Sequence, residues 1–205
     1  MNLQQAMYKI QPLCQQSMDA ARHRLTTIAI PLGSLGLLED AIIQLAGITR
    51  KTMPEIDKRA VVVFCADNGV VAQGVTQCGQ EVTAIVTENL HKSQTTVCLM
   101  AKKAGVDVIP VDIGVARDVQ GDSIRKCKIM YGTHDITREP AMSREQAVRA
   151  IETGIALAEE CKEKGYELLC VGEMGIGNTT TTAAVTAALL GLPVPEITGR
   201  GAGLS

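Results

Sequence analysis

Tryptophan is absent from this sequence, and phenylalanine and tyrosine together make up only 2% of it. Apolar residues still reach 46%, so a sizeable core has to be assembled from Ala, Val, Ile, Leu and Met. Basic excess is missing too. Twenty Lys and Arg stand against 22 Asp and Glu, a net charge of −2, which supplies no attractive field for nucleic acid or an anionic membrane. No apolar run approaches the about 18 residues that a membrane span needs. The opening Met1-Asn2-Leu3-Gln4-Gln5 lacks the charged stretch and apolar block of a signal peptide, so a cytoplasmic location is expected. None of the seven cysteines (Cys14, Cys65, Cys78, Cys98, Cys127, Cys161 and Cys170) falls in a C-x-x-C pair. Their odd number and apolar neighbourhoods suit reduced, small buried side chains in a reducing compartment. His23, His91 and His134 show no ligand spacing, and no metal site is expected.

What is present centres on Glu167-Leu168-Leu169-Cys170-Val171-Gly172-Glu173-Met174-Gly175-Ile176-Gly177-Asn178-Thr179-Thr180-Thr181-Thr182, followed by an Ala- and Leu-rich run. This reads as a buried strand, a glycine loop and the start of a helix, with Asn178 or Thr179 as N-cap. Unpaired N–H groups at a helix start form an anion site, and glycines let the main chain approach a ligand. No lysine precedes the hydroxyls, so this is no Walker A loop. Gly175-x-Gly177-x-x-Thr180 is an imperfect dinucleotide pattern, with Glu196 loosely placed for a ribose; its alternative is a tight strand-to-helix turn. Glu173 would repel a phosphate, so it suits a sugar hydroxyl or base edge; otherwise it is a solvated loop charge or a cap. Asp67 and Asp112 end two strands and either share a cleft, where they would bind a ribose or polarise a nucleophile, or cap the turns that follow.

Along the chain, residues 3–29 read as helix broken at Pro12, and 35–48 as a second helix that Ser34 would cap. Residues 60–66 are apolar without alternation, as in a parallel strand covered on both faces. A helix follows over 81–103, in two segments meeting near Ser93-Gln94. A second strand runs over 106–111, where Pro110 implies an edge position or an early end. Residues 114–142 read as loop or short edge strand around 127–131. Ser143-Arg144-Glu145-Gln146 is a capping box for a helix whose face is Ala147, Val148, Ile151, Ile155, Ala158 and Cys161, and Gly165 stops it. Alternating strands and helices imply a three-layer α/β/α fold with a mostly parallel, Rossmann-like sheet. The expected division is an N-terminal helical segment over 1–50 and a nucleotide-binding core over 51–205. A second glycine loop, Gly199-Arg200-Gly201-Ala202-Gly203, stands at the last residues with nothing after it to hold it, so the sequence reads as truncated at its C-terminus.

At these residues the sequence resembles the nicotinate-nucleotide:dimethylbenzimidazole phosphoribosyltransferases, the CobT-like enzymes. Besides the 172–180 signature, similar blocks are Gly33-Ser34-Leu35-Gly36, Ala66-Asp67-Asn68-Gly69-Val70, Gln80-Glu81-Val82-Thr83, Val111-Asp112-Ile113-Gly114-Val115, Pro140-Ala141-Met142-Ser143 and Gly199-Arg200-Gly201-Ala202-Gly203. The resemblance implies transfer of 5-phosphoribose from nicotinate mononucleotide to a benzimidazole nitrogen, through an oxocarbenium-like transition state. Nicotinate would leave, and the product would be an α-riboside phosphate for cobamide lower-ligand synthesis. By similarity, Glu173, Gly175, Ile176, Gly177, Asn178, Thr179 and Thr180 would hold the mononucleotide, with Gly201 and Gly203 around its phosphate and Asp67 nearby. Segment 78–86, from Cys78 to Val86, would line the aromatic acceptor's pocket. Asn68 stands where the family usually has histidine, and Cys78-Gly79 where an aromatic or serine before proline is common. The family's general-base glutamate lies in a region beyond Ser205, so no catalytic residue is assigned here. An alternative is a catalytically incomplete nucleotide-binding fragment or homologue; a weaker one, from the glycine pattern alone, is a nucleotide-dependent oxidoreductase. No cofactor is implied, the partners are small-molecule substrates, and a homodimer is expected.

Overall fold

The computed structural model describes residues 1–201. They form two compact units, one over residues 2–57 and one from Lys58 onward together with Met1. In the smaller unit, α1 (Leu3–Lys9) opens on a capping box in which Asn2 and Gln5 exchange side-chain and backbone hydrogen bonds. Helix α2 (Gln15–Thr27) starts after the break around Pro12 and lies against α3 (Leu37–Thr49) over Ala21, Ile43 and Ala46. Gly47 permits the close approach, because a Cβ there would sit 2.7 Å from Met18 Cγ. Ser34 does not cap α3; Gly36, at φ +54°, occupies that position.

The larger unit is built on β1 (Arg59–Ala66), β2 (Asp107–Gly114), β3 (Arg125–Lys126) and β4 (Leu168–Met174), all parallel in the order β3-β2-β1-β4. Side-chain alternation sends Val63 and Cys65 of β1 to one face, where Ala84 and Leu90 of α4 (Glu81–His91) and Cys98 of α5 (Thr96–Ala104) cover them. Val62 and Phe64 point the other way, toward Leu157 of α6 (Arg144–Glu163). Helices on both faces of the sheet make the expected three layers. The 81–103 helix is divided as its sequence suggested: Ser93 takes φ +58° and the Thr95 side chain accepts the Cys98 N–H to start α5. The Ser143–Gln146 capping box starts α6, and Gly165 at φ +80° follows its end.

Several expectations are corrected. The strand β2 runs four residues past Pro110, to Gly114, and is not a sheet edge. Asp112 offers its carbonyl to Cys127 N–H on the β3 side, so by alternation Pro110 faces that side too, ahead of where β3 begins opposite Val111. The missing donor therefore costs no ladder bond. The short edge strand expected around 127–131 is assigned over Arg125 and Lys126, and its backbone hydrogen bonds to β2 continue at Cys127 and Ile129. The strand β4 is not buried on both faces. Among the described residues it is at the sheet edge, paired with β1 alone, and Val171 is 76% exposed. On α6 the buried residues are Leu157 and Cys161, whereas Ile151 and Ala158 are exposed. No helix among the described residues is long and apolar enough to cross a membrane.

Candidate functional site

Strand order reverses between β1 and β4: the chain leaves β1 toward β2 on one side, and returns through α6 to add β4 on the other. Open α/β sheets bind ligands at the carboxyl ends of strands at such a switch point. Here Cys65 of β1 lies beside Met174 of β4, so the segments leaving the two strands face each other. One is Asp67, Asn68 and a 3₁₀ helix over Gly69–Gln73; the other is loop 175–177 and α7 (Asn178–Leu190).

The glycines of the second segment answer to geometry. A side chain at Gly175 would run into the Ala66 carbonyl oxygen. Gly177 adopts φ +84°, a left-handed conformation, and a Cβ there would sit 2.8 Å from Val71 Cγ2. Gly177 is the N-cap of α7, in place of the expected Asn178 or Thr179. Asn178 N–H turns back to the Gly175 carbonyl (3.1 Å), and Thr179 N–H to Asn178 Oδ1 (2.7 Å). The N–H groups of Gly177 and Thr180 have no partner among the described residues. These are the donors an anion would meet.

Against the second segment lies a cavity of about 270 Å³, lined by Val75, Thr76, Gln77 and Cys78, just past the 3₁₀ helix, on one side, by Met174 and residues 175–179 on the other, and by Arg200. Glu173 stands at its back. Its Oε1 accepts a 2.5 Å hydrogen bond from Asn178 Nδ2, and both residues line two further hollows of about 340 and 270 Å³. Gly201 and Thr179 share the smaller of these. The structure thus brings together Cys78, Gly175, Ile176, Gly177, Asn178 and Thr179 around one opening, and Glu173, Asn178, Thr179 and Gly201 around its neighbour. Gly203 lies outside the described residues.

Other expected residues stand elsewhere. Asp67 is 1% exposed and lines none of these three hollows; its Oδ2 accepts the Ala116 N–H at 2.7 Å, and its Oδ1 is buried without a partner. Asp112, equally buried, pairs with Lys128 Nζ (3.0 Å) and accepts the Val115 N–H (3.0 Å). Asp112 thus holds the turn after its own strand, while Asp67, at the end of β1, reaches across to the same segment after β2; neither carboxylate lines a hollow at the loop. Val86, half-buried on α4, and Glu196, on α8 (Val194–Ile197), do not line these hollows either. Conversely, Arg200 enters the cavity wall and has no hydrogen bond or ion pair among the described residues. Its position inside the final glycine motif was the only signal for it. Asn68, Gln80 and Thr83 act on the loop through hydrogen bonds, described below, that no spacing in the sequence reveals.

A phosphoribosyltransferase family model matches residues 10–205. The chain belongs to that family. Among curated members, the nicotinate-nucleotide–dimethylbenzimidazole phosphoribosyltransferase of Acetivibrio thermocellus is 47% identical over 201 residues, 98% of this chain and 57% of that relative. The enzyme of the same name from Alkaliphilus metalliredigens is 46% identical over 206 residues, covering 99% of this chain and 58% of its own length. Among solved structures, CobT from Thermus thermophilus superposes with a TM-score of 0.89 at 38% identity, over 93% of this chain and 57% of that one. The chain thus spans somewhat more than half the length of the phosphoribosyltransferases it matches.

Proposed function

We propose that the protein transfers 5-phosphoribose from nicotinate mononucleotide to a benzimidazole-type base, and that the described residues form the mononucleotide side of that site. The observation that carries the reading is the glycine loop pinned against β1, with the Gly177 N–H unpaired among the described residues and the Arg200 cation on the same cavity wall; the unpaired Thr180 N–H follows in the first turn of α7, outside that wall. Amides and a guanidinium together suit a phosphate dianion. Glu173, held by Asn178 next to that wall, suits the ribose hydroxyls and the positive charge that develops on the sugar as nicotinate departs. The Cys78 side of the cavity is assigned to the aromatic base. Gly201 and Gly203 would complete the phosphate contacts, while Thr180 contributes its N–H. The base that deprotonates the acceptor belongs, by resemblance, to sequence past Ser205. We further place the enzyme in the cytoplasm as a homodimer; exposed Leu37, Leu38 and Ile48 on α3 support an association surface.

The test is direct. The full gene product, incubated with nicotinate mononucleotide and dimethylbenzimidazole, should release nicotinate and form the α-riboside phosphate. Absence of release above the rate without enzyme overturns the reading.

Thiol chemistry reports on the cavity independently. Cys78 and Cys170 are exposed, whereas burial pushes the Cys65 thiol up to about 11 and out of reach of alkylating reagents. Iodoacetamide labelling read by mass spectrometry should modify Cys78 and Cys170 and spare Cys65. Dimethylbenzimidazole at ten times its dissociation constant should slow Cys78 about tenfold by occupancy and leave Cys170 unchanged. Equal rates at Cys78 with and without ligand would place the ligand elsewhere.

A further inference from the structure

The glycine loop is held by side chains from other elements. Ile176 donates its N–H to Thr83 Oγ1 (3.0 Å) and accepts at its carbonyl from Asn68 Nδ2 (3.0 Å). Both main-chain groups of the loop's central residue are therefore engaged from outside. Asn68 also accepts, at Oδ1, the hydroxyl hydrogen of Thr181 in the first turns of α7 (2.8 Å). One amide thus grips the loop with its nitrogen and the helix start with its oxygen. Gln80 Nε2 holds the Asn68 carbonyl in turn (3.1 Å). Thr83 is fully buried, so no solvent is at hand to replace its bond to Ile176. Neither Asn68 nor Thr83 lines the cavity between residues 75–78 and the loop; Asn68 does line the neighbouring hollow of about 340 Å³ with Glu173 and Asn178, while Thr83 lines none of the three.

We propose that Asn68, together with Thr83, is a positioning residue of the mononucleotide site. The pair fixes the direction in which the Gly177 and Thr180 N–H groups point, and orients the helix start from which Asn178 holds Glu173, from outside the cavity between residues 75–78 and the loop. The inference rests on the reading of loop 175–177 as the phosphate-binding element. Its logic is that of preorganisation: donors held in place before binding lose no freedom when the ligand arrives. Both contacts depend on chemical type. Asn68→Asp keeps the shape but sets a carboxylate oxygen against the Ile176 carbonyl, two acceptors facing each other. Thr83→Val keeps the branching but leaves the Ile176 N–H unpaired. Thr83→Ser returns the hydroxyl.

A matched control is available in the same region. Thr133 Oγ1 accepts the Gly69 N–H at 3.1 Å, a bond that touches neither the loop nor α7. In the full gene product, calorimetry should show N68D and T83V binding nicotinate mononucleotide about tenfold more weakly, the equivalent of about 1.4 kcal/mol. T83S should return to within about twofold of the parent, and T133V should lower the unfolding midpoint while leaving affinity unchanged. Parent-like affinity in N68D and T83V overturns the proposal. So does an equal loss in T133V, which would make the effect one of general stability. Hydrogen exchange separates this inference from the functional reading beneath it. Should the parent protein fail to bind the mononucleotide, the functional reading falls. Faster exchange of the Ile176 amide in N68D and T83V, but not in T133V, would still uphold the clamp, and unchanged exchange would remove it.

Discussion

Gly175→Ala should abolish measurable mononucleotide binding and lower the unfolding midpoint by roughly 6–10 °C, the effect of about 3 kcal/mol in a chain of this size. The added methyl would meet the carbonyl oxygen of Ala66 and lie 2.9 Å from Asn68 Nδ2. Ala66 ends β1 opposite Gly114 of β2, just past a register shift, and the next residue, Asp67, donates its N–H to the Gly114 carbonyl (3.0 Å), so the strand end resists retreat from that side. The loop has to lift instead, and the Asn68 bond to Ile176 goes with it. Gly172→Ala, on β4 just before the loop, is the matched control. Its Cβ would meet nothing nearer than Val63 Cγ2 at 3.8 Å, and the change should stay within about 0.5 kcal/mol of the parent. Thermal melts and calorimetry on the pair check this. A G175A protein that binds normally would mean the loop need not sit against β1 to bind.

The second large effect separates stability from binding. Asp112→Ala should cost about 3–5 kcal/mol, because it strands a partner inside the fold. Lys128 has a side chain only 15% exposed, and Asp112 is its one carboxylate. Without it the ammonium keeps the carbonyls of Val115 and Arg117 and the face of Tyr131, 4.6 Å to the ring centre, but no counter-charge. The Val115 N–H is orphaned as well. Asp112→Asn, which can still accept from Val115, should lose roughly half as much. Well below the midpoint, both variants should bind mononucleotide like the parent, since Asp112 does not line the hollows at the loop. A specific loss of affinity in the asparagine variant would return Asp112 to the ligand.

The elements that sequence disclosed are those written in local chemistry. Ser143 and Gln146 are a capping box wherever they occur, and Ser93-Gln94 interrupts a helix through the backbone Ser93 adopts. The run over 60–66 has to be a covered strand because nothing in it alternates. The same reasoning failed on β4, whose apolar run looks equally covered. Being at the edge is a property of the sheet, and Val171 cannot report which neighbours stand beside it. Leu157 went unnoticed on α6 because an imperfect stripe let Ile151 and Ala158 stand in for it. At the site, residues 173–179 announced themselves through glycines and hydroxyls close together in the chain. Asp67 and Asp112 misled, since a carboxylate after a strand looks the same whether it meets a ligand or a backbone N–H. Asn68 and Thr83 act on a loop roughly a hundred residues away, at separations of 108 and 93 positions, where no spacing rule reaches.

The two walls of the cavity differ in how they are built. Residues 175–177 are pinned from several sides, while residues 75–78 carry no regular secondary structure, and the Thr76 hydroxyl folds back onto the Cys78 carbonyl (2.6 Å). Such an arrangement divides evolutionary freedom unequally. Substitutions along 75–78 can reshape one side of the opening without disturbing the ladder or the helix start, so drift there alters selectivity while the opposite grip is inherited unchanged. Diversification of this site is therefore expected to concentrate on the side that Cys78 occupies.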